Sequence, residues 1–185
     1  MTNDTLYVTA DTHFNHKGII DYCDRPYGSV VEMNEAIIEA WNSVVPTNGD
    51  VWFLGDFGFD QRGHGATTQP LDAIFDRLAG HKHLVKGNHD ESNPGVLALG
   101  WESIADFATL RRDGIRAIAC HYPLTPWKHA YRGYLMLHGH CHGTLRQHQG
   151  GRLDVGWDVH GRPLTLHQAA EKAGTYLPVD HHAPR

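Results

Sequence analysis

Short apolar runs alternate with amphipathic stretches through the first half of the chain, while runs of strand length dominate the second. Leu6-Tyr7-Val8-Thr9-Ala10 reads as a first buried strand. Residues 29–45 read as the best helix. Ser29 and Glu32 form an S-x-x-E cap, and Val31, Ile37, Ile38, Trp41 and Val45 make an apolar stripe that Pro46 and Gly49 close off. Val51-Trp52-Phe53-Leu54 is a short buried strand, followed by a loop carrying Gly58, Gly63 and Gly65. Pro70 opens a helix with Leu71, Ile74, Phe75 and Leu78 on one face and Gly80 behind it. A strand follows at 83–86, then a turn of helix near 94–99. Further strands are expected at 103–110, 115–120, 134–137 and 152–155. Thr165 and Gln168 cap a last helix, 166–173, stopped by Gly174. Strand–helix alternation followed by a run of strands predicts an α/β fold over residues 1–185 as one domain. Its expected form is two packed mixed β-sheets flanked by helices, an α/β/β/α sandwich.

The bulk properties narrow the functional classes. Hydrophobic residues make up 41% of the 185 positions, enough for a sizeable core. A net charge of −5 with neutral histidines argues against a broad basic surface for nucleic acid, though not against a nucleic-acid end held locally. The three cysteines, Cys23, Cys120 and Cys141, make no CxxC pair and leave an odd count, which points to a reducing compartment. The opening Met-Thr-Asn-Asp has no signal-peptide pattern, and no run reaches transmembrane length. A cytoplasmic protein with no membrane contact and no obligate protein partner is expected. Histidine is the anomaly, at 16 residues.

Many of those histidines fall in short segments that each end a strand-like run. They are Asp11-Thr12-His13, Gly55-Asp56, Gly87-Asn88-His89-Asp90, Cys120-His121 and His138-Gly139-His140-Cys141-His142. Strand ends are where the loops of an α/β sheet converge on a ligand. Mixed carboxylate, imidazole and amide donors suit divalent-metal hydrolysis better than a closed structural zinc site.

The order D-x-H, G-D, G-N-H-[D/E], lone H, G-H-x-H resembles the calcineurin-like metallophosphoesterase superfamily, and it spans residues 6 to 143. The Asp-Thr-His-Phe-Asn-His opening, the Cys-His-Tyr-Pro segment and Leu-Asp-Val-Gly-Trp-Asp at 153–158 are similar to its small bacterial and phage-type branch. The resemblance implies two divalent transition-metal ions, Mn first, with Fe, Zn, Ni or Co as alternatives. One ion would be held by Asp11, His13, Asp56 and His142, the other by Asp56, Asn88, His121 and His140, with Asp56 bridging. Two such ions, two aspartates and one bridging hydroxide sum to about +1, which attracts an anionic phosphoester. The resemblance also implies attack by that hydroxide on phosphorus. His89 would protonate the leaving oxygen, and Asp90 would hold the His89 ring.

Other residues carry weaker expectations. Asn15 and His16, just after the first ligands, are candidates for substrate contact. So are Lys128, His129 and Arg132, whose loop follows the His121 strand with cations and aromatics. Alternation turns Cys141 away from His140 and His142, as a packing residue; His138, ahead of Gly139, is expected to face the opposite way from His140 as a structural residue, and Asp158 could orient a metal-binding histidine.

The expected activity is hydrolysis of a phosphodiester or phosphomonoester, with the diester favoured, from a nucleotide or a nucleic-acid end. Two other readings stand beside it. A phosphoprotein phosphatase is opposed by Arg62, displaced from that branch's G-D-x-x-D-R-G pattern. A non-catalytic binding module of the same fold would lack ligands or the acid histidine, and here the full set is present.

Overall fold

The computed structural model describes residues 5–60, 69–145 and 150–175; Arg62, Gly63, Gly65, His181 and His182 lie outside them. The chain order is β1 (Leu6–Thr9), α1 (Lys17–Tyr22), α2 (Val30–Asn42), β2 (Asp50–Phe53), α3 (Leu71–Arg77), β3 (His81–Val85), α4 (Pro94–Leu97) and β4 (Ser103–Ala105). It continues with β5 (Phe107–Arg112), β6 (Ile115–Cys120), a 3-10 turn (Ala130–Arg132), β7 (Leu135–His138), β8 (Arg152–Asp154), α5 (Trp157–His160), β9 (Leu164–Thr165) and α6 (Leu166–Ala173).

Two mixed sheets flanked by helices result, as the alternation predicts. The first has the order β4-β3-β2-β1-β9 and the second β5-β6-β7-β8. Within the first, β1 to β4 run parallel and β9 pairs antiparallel with β1. In the second, β5 and β6 form a hairpin, while β7 and β8 run parallel to β6. The hairpin turn is Asp113-Gly114, both at positive φ (50° and 80°), as the tight turn between right-twisted strands requires.

The expected strand over 103–110 is in fact two. It breaks at Asp106, so that β4 completes the first sheet and β5 begins the second. Helix α1, helix α5 and strand β9 are too short to leave a periodic trace and were not expected from the pattern.

Apolar burial explains the layers. Met33, Ile37, Ile38 and Trp41 of α2 pack with Ile74 and Phe75 of α3 on Phe53 of the first sheet. Val8 and Val85 meet Ala117, Ala119 and Leu137 between the sheets, and Leu166, Ala169 and Ala173 of α6 join them. Each fully buried large side chain contributes about 1.5–3 kcal/mol. Val31, expected in the α2 stripe, is 41% exposed because Met33 occupies the buried face instead. At the cap, Ser29 accepts from the Glu32 amide, but Glu32 reaches back to the Gly28 amide rather than to Ser29. The Thr165–Gln168 capping box forms in full.

Strand register sets up the site. Thr9 pairs with Phe53 and Phe53 with Leu84, so three parallel strands end level with one another. Ala119 pairs with Leu137 in the second sheet, which brings the loops after β6 and β7 to a common edge.

Candidate metal centre

Five loops meet at these strand ends, and their backbones are unusual. Asp11, His13, Asp56, His140 and His142 all adopt positive φ, between 46° and 70°. In a continued extended strand, alternation would place Asp11 and His13 on one side. The strand stops at Thr9, and the left-handed backbone brings both into the pocket instead. The Asp11 amide donates to Gly55 O at 2.9 Å and the His13 amide to Asp56 O at 3.1 Å, stitching the first loop to the second. Two motif glycines are required by close approach. A Cβ on Gly87 would collide with the Asp56 carboxylate, and one on Gly139 with the Asp11 carboxylate.

The donors converge on Asp56, which is 2% exposed. Its Oδ2 lies 3.5 Å from His121 Nε2, 3.8 Å from His13 Nε2 and 3.9 Å from His89 Nε2. Its Oδ1 accepts from the His89 amide at 3.0 Å. Asn88 Oδ1 is 3.1 Å from His121 Nε2. The ring centroids of His13 and His142 are 5.2 Å apart, and those of His121 and His140 5.1 Å. Ligand atoms of Asp11, His13 and His142 lie within 4.8 Å of one another, as do those of Asp11, Asp56 and His121, and of His13, Asp56 and His89.

A surrounding layer fixes these donors. The Nδ1–H of His121 donates to Leu54 O at 2.7 Å, leaving Nε2 to face Asp56 and Asn88. The Nδ1 of His142 donates to Asp158 at 2.7 Å. Arg25, which no sequence pattern singled out, is buried beneath them. It donates twice to Asp158, at 2.7 and 2.9 Å, and once each to the carbonyls of Thr12 and Asp11, both at 2.8 Å. Asp154 accepts from the amides of Gly143 and Gly156, holding the loop that bears His142.

Asp90 takes a different role from the one expected. Its carboxylate accepts from the amides of Asp56, Phe57 and Gly87, at 2.8, 3.0 and 2.8 Å. It therefore ties the second and third loops together rather than steadying the His89 ring. A fully buried carboxylate is best satisfied by nearby amides, and three lie within reach.

The electrostatics fit a cation. Burial pushes the Asp11 carboxyl up to about 7. Burial also acts upward on Asp56, but its bond to His121 and the charge there outweigh that and bring it down to about 2. Burial holds His13 well below the usual imidazole range, so it is neutral and ready to ligate. For His121, burial acts downward, yet the bond and charge of Asp56 leave it raised. Among the described residues, His13 Nε2 is buried without a hydrogen-bond partner. A buried, partnerless ring nitrogen 3.8 Å from the Asp56 carboxylate is what a metal ion would satisfy. Burial raises both Cys23, to about 11, and Cys141, so both are thiols in the metal-free protein.

Several substrate candidates are placed elsewhere. Asn15 is wholly buried: its side chain donates to Phe59 O and Gln69 O and accepts from Asn34, so it braces the loop rather than meeting substrate. His129 packs on the Tyr134 ring, and Arg132 lies over Tyr131. Their loop is anchored by Trp127, whose Nε1–H donates to Tyr134 O and whose ring joins Ile118 and Met136 on the outer face of the second sheet. His129 and Arg132 are thus part of that cover, and Lys128 borders a cleft beside it. His16 does reach the centre, with Nδ1 3.4 Å from that of His13 and its ring 4.5 Å from Phe59.

Carboxylates and imidazoles gathered at the strand ends of two packed mixed sheets define a candidate metallohydrolase. The chain belongs to the calcineurin-like phosphoesterase family, whose model matches residues 5–185. Membership gives phosphoester hydrolysis as the class of reaction. An uncharacterised protein of Methanocaldococcus jannaschii is 30% identical over 139 residues, covering 75% of this chain and 70% of that protein. The gene 66 protein of Mycobacterium phage L5 is 28% identical over 189 residues, covering 84% and 87%. A solved protein of unknown function from Aquifex aeolicus shares the fold at a TM-score of 0.66, with 22% identity, over 92% of this chain and all of that one. Among the described residues, no helix is long and apolar enough to cross a membrane.

Proposed function

We propose that the protein is a dimetal phosphodiesterase acting on nucleotide- or nucleic-acid-derived esters. The observation that carries this reading is the buried, unpartnered His13 Nε2 facing Asp56 within a ring of further donors. Asp11, His13, Asp56 and His142 would hold one ion and Asp56, Asn88, His121 and His140 the other. Manganese heads the candidates, since hard carboxylate and amide oxygens stand beside imidazoles. Two divalent ions here would acidify water and neutralise charge building on the phosphoryl oxygens.

The chain's own residues do the rest. Leu54 O and Asp158 each accept a hydrogen bond from one imidazole N–H, so the other nitrogens of His121 and His142 point inward as acceptors. His89 is anchored through its amide to Asp56, while its ring stays partly exposed beside His13 and Phe59. From there it can reach the leaving oxygen of a bound ester and protonate it, a step worth about 10²–10⁴-fold in rate. Three free cysteines fit a reducing cytoplasm.

The test is hydrolysis by metal-stripped protein after separate addition of Mn²⁺, Ni²⁺, Co²⁺, Zn²⁺ and Mg²⁺. Bis-p-nitrophenyl phosphate and p-nitrophenyl phosphate are assayed side by side. Diester turnover restored by transition metals is expected. Silence on both esters with two ions bound overturns the reading in favour of a binding module.

A further inference from the structure

Tyr122 directly follows His121, and its ring centroid lies 5.1 Å from that of His121 and 4.9 Å from that of His140. The same residue lines a cleft of about 450 Å³, whose apolar wall includes Phe107, Ile118 and Leu124. That volume is in the range of small-molecule sites. Phe107, Tyr122 and Leu124 are large apolar side chains left exposed together, which is unusual outside a binding surface.

The cleft and the metal centre share two loops. Lys86 and Glu91 come from the segment that bears Asn88 and His89, while Tyr122 and Lys128 come from the segment after His121. The charges on the lining balance: Lys86 and Lys128 stand against Glu91 and Asp106 in number, with Lys86 Nζ 2.8 Å from Asp106. An apolar wall with balanced charge suits an uncharged flat ring and disfavours a second phosphate. His89 lies on another flank, its ring beside His13, His16 and Phe59, so a leaving group protonated there does not occupy this cleft.

We propose that the cleft is a subsite for the substituent that stays on phosphorus, a nucleobase-sized aromatic ring, in a diester whose phosphate lies at the metal centre. The assignment rests on the phosphodiesterase reading of that centre. Tyr122 and Phe107 offer the faces on which the ring stacks, and such stacking tolerates different bases.

The experiment compares bis-p-nitrophenyl phosphate with methyl p-nitrophenyl phosphate on the metal-loaded protein. The two share a leaving group and differ in the other substituent. The wild type is expected to favour the bis-aryl ester about tenfold in kcat/KM, through KM. In Tyr122→Ala, and in Phe107→Ala combined with Leu124→Ala, that ratio falls towards one. No preference in the wild type, or a preference that survives both variants, overturns the subsite. If the wild type turns over neither ester, the reading of the centre has failed instead. The cleft is then judged by titrating adenosine and following the NMR signals of Phe107, Ile118 and Tyr122. Shifts at those residues uphold it as a ring-binding site, and their absence removes it.

Discussion

His142 Nδ1 lies 2.7 Å from Asp158 Oδ2, joining two residues 16 positions apart. Arg25 grips the same carboxylate from the other side. Burial acts to raise the Asp158 carboxyl, but the bonds from His142 and Arg25 outweigh it and hold it at about 2. An ionised Asp158 fixes the tautomer of His142 and turns its free nitrogen towards Asp11 and His13.

Asp158→Asn removes the charge that fixes this ring. Partners of this kind are worth about 10–100-fold in metal affinity. The loss should appear in competition against a chelator, while circular dichroism stays native. Undiminished affinity would mean that His142 is held by other contacts.

Metal loading should depend on pH with a definite sign. The Asp11 carboxyl, raised to about 7, keeps its proton below that pH in the metal-free protein, and an arriving cation must expel it. His121, also raised, adds to the competition in the same direction. Apparent affinity for Mn²⁺ therefore climbs as pH rises through 7 and levels off above it. Calorimetry in two buffers of different ionisation enthalpy counts the released protons. An affinity flat from pH 6 to 8 would remove Asp11 from the ligand set.

His89→Ala should leave metal content intact and slow alkyl-type leaving groups by about 10²-fold or more. Activated aryl leaving groups need little protonation and should suffer less. Equal losses on the two substrate types would assign the acid to another group.

Asn15 and Arg132 separate bracing from catalysis. Asn15→Ala deletes a buried amide bonded to Asn34, Phe59 and Gln69, and should cost about 1–3 kcal/mol of stability in a thermal melt. Arg132→Ala, on the exposed 3-10 turn, should leave kcat and KM within about twofold of wild type. A large KM effect from Arg132→Ala would return its loop to the site.

The parts of this architecture legible in the sequence were those written locally. The runs at Leu6 and Val51 show as strands, Ser29 and Thr165 show as caps, and D-x-H or G-H-x-H shows because its donors sit two residues apart. Arg25 and Asp158 stand 133 positions apart, so no local period announces their pairing. The split at Asp106 was hidden for another reason: an unbroken β-prone stretch does not show which sheet each half will join. Asn15 misled through proximity. It follows His13 by two positions, yet Asn34 on α2 draws its side chain away from the pocket.

The left-handed backbone at Asp11, His13, Asp56, His140 and His142 sets binding against folding. Each non-glycine residue so placed costs about 1–2 kcal/mol that glycine would not. Asp11 and Asp56 offset part of that cost by accepting the His140 and His89 amides, whereas the exposed His140 side chain is the least committed of the five. Exposed His140, at φ 70°, is the cheapest place to begin: His140→Gly should raise the melting temperature of the metal-free protein by about 2–4 °C. On the proposed reading bound ions offset that strain, so loading Mn²⁺ should erase the advantage of the glycine variant.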